Sequence, residues 1–427
     1  MALSLDTIEV HSPKRLFEEG YPWADWDLLR REAPVFWYER PDVEPFWAIT
    51  KHADVQTVSR RSDIFINGGP RLRLTLKGQT EPLRGGLDSF GKERGWDPDE
   101  VPDFVFMDDP RHRKFRSLSS RSFTPGRLRQ SADHFHSLAE AFTAHFVERL
   151  QQGPCDFVSE LAVKLPVAAI CEMMKLPESE WEKILVWTNA IVGDVEDIKL
   201  PGEGKEETMA RAMNEFRAYL EGFIAERKAQ GASEDALVDS IVGGKVDGHG
   251  LTDQQLIGYL MLIIGAGNET TRNATSGGVI ALLENPEQRD RFCADESLLD
   301  STIEEILRWT SPVYQFLRTA TEDYELRGQR IKSGDTVCVF YGSANRDEDV
   351  FDDPYRFDIG RSPNPHLAFG GYGAHFCLGA NLARAELRAA LTALRPVLPK
   401  MELAGKPVRN PDLHVPGYVS VPVRATG

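Results

Sequence analysis

Apolar residues recur at three- and four-residue spacing through "SLAEAFTAHFVERLQQG" and "NEFRAYLEGFIAERKAQG", and the two runs stop at Gly153 and Gly231. That period predicts two amphipathic helices, each ended by a glycine. Helical patterning extends from about Pro110 to Pro312. Before it, "PVFWYER" from Pro34 and "PFWAIT" from Pro45 alternate like strands around the turn-rich "PDVE", which predicts a hairpin or a strand pair. After Arg318 the pattern returns to strand chemistry in "YELRGQRIKSGDTVCVFY", around an Arg-Gly-Gln turn, and again in "HVPGYVSVPV".

The expected fold class is therefore mainly α with a smaller β portion, in one domain over residues 1–427 and without internal repeats. The β-rich lobe would draw on about 30–60 and 318–345 plus the C-terminal strands, the helical lobe on about 105–312 and 379–397. Residues 66–104 lose periodicity and hold seven glycines between Gly68 and Gly95, which suits either a lid or binding loop or a surface insertion. A polar, glycine-containing link from 193 to 206 would be able to move.

The strongest helical signal is "LTDQQLIGYLMLIIGAGNETTRNATSGGVIALLENPEQ". Thr252 and Gln255 form a capping box, and Pro286 follows the end at Asn285. The apolar stretch from Leu256 to Ile264 is too short for a bilayer, and Glu269 and Arg272 place charges just beyond it. Glycines inside "GAGNETT" cost about 1 kcal/mol each relative to alanine. Gly265 and Gly267 either admit a large group or open the helix locally, or else serve as helix–helix contacts. Glu269 and Thr270 come directly after them, an acid beside an alcohol, which suits proton transfer as well as simple pairing.

Composition narrows the classes of function. A formal net charge of −16 argues against general nucleic-acid binding. The first residues carry neither a signal-peptide core nor a membrane anchor, so a cytoplasmic location is expected. Five scattered cysteines, with no C-x-x-C pair, indicate neither a disulfide framework nor a cysteine-rich zinc site.

Cys377 stands apart from the other four. In "HLAFGGYGAHFCLG" it sits among glycines, two residues after His375 and just before the Ala-rich "LGANLARAELRAALTAL" helix. The loop lacks the Lys-Ser/Thr or G-x-G-x-x-G arrangement of phosphate loops and the ligand number of a zinc site. A Cys-His dyad is disfavoured because residues two apart in an extended segment face opposite sides. What remains is a thiolate offered to something bulky and flat, with the start of a helix favouring its charge.

The loop resembles the haem-binding signature F-G-x-G-x-H-x-C-x-G of the cytochrome P-450 superfamily, through Gly371, Gly373, His375, Cys377 and Gly379. It departs at one place: Phe369 lies a residue early and Gly370 takes the aromatic position, so either a bulge restores the shield over the thiolate or the shield is missing. "AGNETT" resembles the family's distal-helix motif, "EEIL-R" with Glu305 and Arg308 its E-x-x-R pair, and "HRKFR" the H-x-x-x-R of the helix under the haem. Arg356 in "PYRF" matches the third member of the E-x-x-R triad, and Arg318 in "FLRTA" a propionate-binding arginine.

The resemblance implies a P-450 fold with haem b (iron protoporphyrin IX) between the long distal helix and the cysteine loop. Cys377 would ligate the iron; His112, Arg116, Arg318 and His375 would neutralise propionates, with Ala266, Phe369 and Gly379 also touching the haem. Thr270 would hydrogen-bond dioxygen or its water, and Glu269 would relay protons. Ile263, Ala266, Val313, Tyr314, Phe316 and Phe106 would meet a hydrophobic substrate.

The activity implied is monooxygenation of a steroid, terpenoid or branched lipid, by a bacterial soluble type of enzyme most like the steroid and branched-lipid hydroxylase branch. Electrons would come from NAD(P)H through a separate ferredoxin and its reductase. Seven Lys/Arg and no Asp or Glu between Arg111 and Arg129 offer an acidic ferredoxin a docking face. The alternatives are a hydroxylase or demethylase of a small alkyl-aromatic compound, and a peroxide-driven or non-oxidising haem-thiolate protein.

Overall fold

The longest helix organises everything around it. The computed structural model describes residues 3–78, 89–191, 198–231 and 236–426. Within them the elements that position the site are β1 (Val35–Arg40), β2 (Val43–Ile49), α1 (His52–Arg60), β3 (Phe65–Ile66), α2 (Arg111–Ser120), α3 (Ala132–Gln151), α4 (Lys164–Met173), α5 (Trp181–Ile191), α6 (Lys205–Gln230), α7 (Asp253–Glu284), α8 (Leu299–Thr310), β4 (Gln315–Ala320), β5 (Thr336–Phe340) and α9 (Ala380–Leu394).

Helix α7 runs 32 residues, about 48 Å at 1.5 Å per residue. Its predicted capping box is formed: Gln255 N–H donates to Thr252 Oγ1 at 3.2 Å, and Thr252 N–H donates to Gln255 Oε1 at 3.0 Å. From Asn268 to Leu282 nearly every side chain is buried, whatever its polarity, because α4, α6, α8 and α9 pack around it. A helix covered on all sides has no solvent stripe to keep polar. Gly277 and Gly278 lie against Thr310 and Ile306 of α8, where a Cβ would press into those side chains.

The β portion is a five-stranded sheet in the order β1-β2-β5-β4-β3, with β5 parallel to β2 and the other pairs antiparallel. The predicted hairpin is there, with Val35 opposite Ile49 and Trp37 opposite Trp47. The Arg-Gly-Gln turn joins Tyr324–Leu326 to Gln329–Ile331, with Arg327 and Gly328 at φ 50° and 75°. Two left-handed residues match the right-handed twist of a tight hairpin. The late strands Tyr418–Ser420 and Pro422–Ala425 also form, pairing with Val408–Arg409 and Met401–Leu403.

The irregular stretch from 66 to 104 contains a short helix (Ser89–Glu93) and leads into a 3-10 turn at Phe104–Phe106; its residues 79–88 lie outside the described residues. So do residues 193–197 of the polar link; farther along it, Gly204 N–H donates to Glu207 at the start of α6, 2.9 Å.

One expected contact is corrected. Arg308 donates to both oxygens of Glu305, at 2.8 and 2.7 Å, and both side chains are fully buried. The third member is Arg361, whose Nε lies 3.2 Å from Glu305 Oε2. Arg356 is exposed and contributes its carbonyl oxygen, which accepts from Arg308 at 3.2 Å and from Arg361 at 3.0 Å. The turn after Asp353 points the Arg356 side chain outward and brings the chain back five residues later. Asp358 N–H and Asn364 Nδ2 also donate to Glu305, at 2.9 and 3.1 Å.

Candidate active site

A cavity of about 1310 Å³ separates the middle of α7 from the loop before α9. Its wall includes Gly265, Ala266, Glu269 and Thr270 on one side, and Phe369, His375, Cys377 and Gly379 on the other. The loop is built on glycines for a packing reason. A Cβ on Gly373 would overlap the Ser59 carbonyl near the end of α1, and one on Gly371 would press on the Ser59 side chain. We expect Gly373→Ala to push the loop off α1, and the fraction of protein isolated with bound cofactor to drop by more than half. A pigment-to-protein absorbance ratio checks this.

The extra residue in the loop is absorbed locally. Gly370 and Tyr372 take left-handed conformations, φ 97° and 62°. Phe369 thereby stays beside the cysteine: its carbonyl accepts from Cys377 N–H at 3.0 Å, its ring lines the cavity, and the Arg384 guanidinium lies 4.5 Å from its centroid. The geometry is that of a bulge. Arg384 is in turn held by Glu304, at 2.6 and 2.8 Å, together with His366 at 3.0 Å, and these partners bring the Glu304 carboxyl down to about 2 against the effect of its burial.

The exposed surface of Cys377 is cavity wall, and the protein surrounds it otherwise. That surrounding pushes its thiol above the ordinary value. The Gly379 N–H at the start of α9 opposes this most, followed by the charges of Arg116 and Arg384. The helix start thus helps the thiolate, as expected, without outweighing burial in the protein alone.

Four cationic or imidazole groups gather beside the loop with no carboxylate ion-paired to either arginine among the described residues. Arg116 donates to the Phe376 carbonyl at 2.6 Å, and Arg318 to the Leu317 carbonyl at 2.7 Å. Burial lowers the pKa of both. His375 is held well below the usual imidazole range by burial and by Arg318, His112 and Arg116. His112 stands behind it, off the cavity wall, with ring centroids 4.0 Å apart, and its buried Nε2 has no hydrogen-bond partner among the described residues. Concentrating cationic groups in this way is unfavourable unless an anion joins them. The arrangement fits a flat group carrying two acidic arms that enters between α7 and Cys377.

On α7 the helix stays unbroken through "GAGNETT". Thr270 Oγ1 donates to the Ala266 carbonyl at 3.0 Å, and Gly267 lies at ordinary contact distance from Ile170. Gly267 serves as a contact with Ile170 and, together with Gly265, also lines the large cavity, while the local opening of the helix is absent. Glu269 is buried in an ion pair with Arg272, which also donates to Asn189 Oδ1 on α5 at 3.1 Å.

Ile263, Ala266, Val313 and Phe316 line the cavity. Tyr314 does not: it is fully buried among Tyr21, Trp26 and Phe340, and its hydroxyl donates to the Val10 carbonyl at 2.8 Å. Phe106 is likewise turned into the core, while Phe104 and Val105 of the same 3-10 turn reach the wall. The sequence reading missed Met209 and Met213, which line the cavity from α6. Their spacing of four from Lys205 to Arg217 was the available signal, a single helical face.

The basic run is partly neutralised by the fold. Arg111 pairs with Glu100 at 2.6 Å, Arg113 with Asp109 at 3.4 Å and Lys114 with Asp247 at 2.6 Å. Arg121 and Arg129 stay exposed with no acid partner among the described residues. No helix among those residues is long and apolar enough to cross a membrane.

Comparison with known proteins agrees with this geometry. Residues 88–395 match the family model described as Cytochrome P450. The chain is 40% identical to a methyl-branched lipid omega-hydroxylase of Mycobacterium tuberculosis, over 92% of this chain and 89% of the relative. It is 35% identical to a steroid C26-monooxygenase of Rhodococcus jostii, over 92% and 80%. Among solved structures, a Mycobacterium marinum cytochrome P450 in complex with pseudoionone superposes with a TM-score of 0.85 at 34% identity, covering 99% of each chain. With matches of this extent and a cavity that joins a cysteine loop to a distal acid–alcohol pair, the chain belongs to the cytochrome P450 family of haem-thiolate monooxygenases.

Proposed function

We propose that this monooxygenase hydroxylates a methyl-branched lipid or a steroid side chain, at or near a terminal methyl group. The observation that carries the reading is the cavity itself: about 1310 Å³, above the usual range for one small ligand, with Cys377 at one face and Leu262, Ile263, Val313 and Phe316 giving it an apolar portion near α7. Such a space accommodates a cofactor and an extended apolar substrate together. Met209 and Met213 supply an adaptable roof, and the hydroxylase and monooxygenase relatives act on substrates of this kind.

In this reading Cys377 would ligate the iron of haem b, and Arg116, Arg318 and His375 would neutralise its propionates, with His112 beside His375. No C-x-x-C occurs in the chain, which rules out the paired thioether attachment of c-type haem. When bound, the haem supplies dioxygen activation and insertion of one oxygen atom into a C–H bond. The chain's own residues do the rest. Phe369 and Gly379 wall the thiolate, while Ile263, Val313 and Phe316 hold the substrate and exclude water. Ala266 leaves room beside Thr270, whose hydroxyl turns from the Ala266 carbonyl to hold a proton at the cavity, and Glu269 hands protons on when its pair with Arg272 opens. Electrons derived from NAD(P)H arrive in the cytoplasm from a separate ferredoxin and its reductase. The acidic carrier meets the exposed Arg121 and Arg129 on an otherwise acidic protein.

Spectral titration of the purified protein with a methyl-branched lipid, a sterol and a small alkyl-aromatic compound tests the substrate class. A spin-state shift with the first two, and hydroxylation at a terminal methyl, is expected. A shift confined to the alkyl-aromatic compound overturns it. For Thr270→Ala we expect reductant consumption to continue while hydroxylated product per electron falls roughly 10-fold or more. Parallel assays of cofactor oxidation and product check it.

A further inference from the structure

The loop of residues 410–415 forms part of the wall of the large cavity and is stitched to β4 and the residue before it. Tyr314 N–H donates to the His414 carbonyl at 2.8 Å, and Gln315 Nε2 donates to the Leu413 carbonyl at 3.1 Å. Asp412 Oδ1 accepts the backbone N–H groups of His414 and Val415, at 2.7 and 2.6 Å. The His414 ring is fixed as well. Its Nδ1 lies 3.0 Å from the Gln315 carbonyl oxygen, and the Phe316 ring meets it edge to face with centroids 4.6 Å apart. His414 is 8% exposed and belongs to the cavity wall.

A carbonyl oxygen only accepts, so Nδ1 carries the hydrogen and donates it to Gln315. Nε2, on the far edge of the ring, makes no hydrogen bond among the described residues. Burial, and after it the charge of Arg73, hold the imidazole well below its usual range, against the opposing effect of the Gln315 carbonyl. The ring is therefore neutral, and Nε2 offers a bare lone pair. Leaving a buried acceptor unpaired is costly, and the cavity is the side from which a donor can come. Phe316 and Val313, close to Gln315 in sequence, give that cavity apolar wall.

We propose that His414 selects the polar end of the substrate: its Nε2 accepts a hydrogen bond from a hydroxyl group, so the branched lipid or steroid is taken as an alcohol. This role rests on the branched-lipid and steroid reading of the cavity and narrows it. An O–H that donates to Nε2 satisfies the buried acceptor. An ether or ketone oxygen brings a second lone pair against the first, and a site made to bond a hydroxyl rejects the analogue that lacks one. The hydroxyl end is thereby held beside β4, and the apolar remainder has the rest of the cavity, including the part between α7 and Cys377. His414 takes part in no covalent or redox step; it touches the substrate through this one bond.

The test measures binding of hexahydrofarnesol, its methyl ether and the corresponding carboxylic acid to the haem-loaded protein, by calorimetry and by spin-state titration. One branched skeleton then carries in turn a donor, an acceptor and an anion. Wild type is expected to bind the alcohol about 10-fold more tightly than the ether, the worth of one well-made hydrogen bond. His414→Asn keeps a donor near the Nδ1 position for Gln315 and removes the acceptor, so the preference should shrink to about 2-fold or less. His414→Gln carries an amide oxygen toward the place of Nε2 and should keep most of the preference. The wild-type ranking needs no variant, so a substitution that fails to fold leaves the test intact. Equal binding of alcohol and ether by wild type overturns the proposal, as does a preference that survives in His414→Asn. Tighter binding of the acid than of the alcohol overturns it too, and gives the polar end to a cation such as Arg73. Phenethyl alcohol and its methyl ether form a second pair. If only that pair binds, with the alcohol preferred, the role of His414 holds and the branched-lipid and steroid reading falls; if neither pair binds, both fall.

Discussion

Replacing Cys377 by histidine is expected to leave a folded protein that binds haem and no longer hydroxylates. The thiolate is the only soft, electron-rich donor on the loop face of the large cavity, and His375 is turned into the cluster with His112, Arg116 and Arg318. An imidazole at 377 ligates iron without the electron push that a thiolate gives. The reduced carbon monoxide complex of the wild type should show the strongly red-shifted Soret band of thiolate ligation. In Cys377→His it should move to the shorter wavelength of histidine ligation, with product formation at background. The Cys377 surface is cavity wall rather than core, so its replacement opens no packing defect. Stability should change by no more than about 0.5 kcal/mol. Loss of hydroxylation at unchanged melting temperature separates a ligand from a structural cysteine. A red-shifted band that survives in the variant would remove Cys377 from the iron.

How far the sequence could be read depended on whether the information was local. The capping box at Thr252, the helix stops at Gly153 and Gly231 and the Arg-Gly-Gln turn are each written in a few adjacent residues, and each formed where the pattern placed it. The cysteine loop was legible for the same reason, down to the displaced Phe369. Its consequence was not, because it depends on Gly370 and Tyr372 adopting left-handed backbone and on the fit of Gly373 against Ser59 more than three hundred residues away in sequence. Tyr314 and Phe106 were misplaced because an apolar side chain in a turn or strand suits a cavity wall and a core equally. Only the packing of Trp26, Tyr21 and Phe340 around Tyr314 decides between them. The basic run from Arg111 to Arg129 looked like one surface, yet Asp109 just before it, Glu100 and the distant Asp247 pair with three of its seven cations. Met209 and Met213 escaped notice since a helical face shows its period in sequence and not the object it faces.

Arg308→Ala is expected to be the most destabilising of the substitutions considered, and comparison with two neighbouring arginines makes it a test of the fold. Arg308 is fully buried. It donates to both oxygens of Glu305, and to the carbonyls of Asn345, Pro354 and Arg356, at 2.9, 2.9 and 3.2 Å. Its removal strands a buried carboxylate and three carbonyls together, and breaking one partner of a buried pair costs about 3–5 kcal/mol. Against a net stability of roughly 5–15 kcal/mol, that is enough to leave a large share of the chain unable to hold its cofactor loop. The loop depends on it directly: Asn345, whose carbonyl Arg308 holds, accepts the Leu367 N–H through its side chain at 2.6 Å, two residues before Phe369. Arg361→Ala removes the charged contact to Glu305 from the rim of the same cluster, along with bonds to the exposed carbonyls of Asp352, Asp353 and Arg356, and should cost about 1.5–3 kcal/mol. Arg356→Ala should cost less than about 0.5 kcal/mol, since the backbone carbonyl it contributes is kept. Denaturant melts of the three variants, read with the yield of haem-loaded protein, are expected to rank Arg308 far above Arg361 and Arg361 above Arg356. If Arg356→Ala proved as damaging as Arg361→Ala, the motif-based triad would be right and the placement of Arg361 against Glu305 would be wrong.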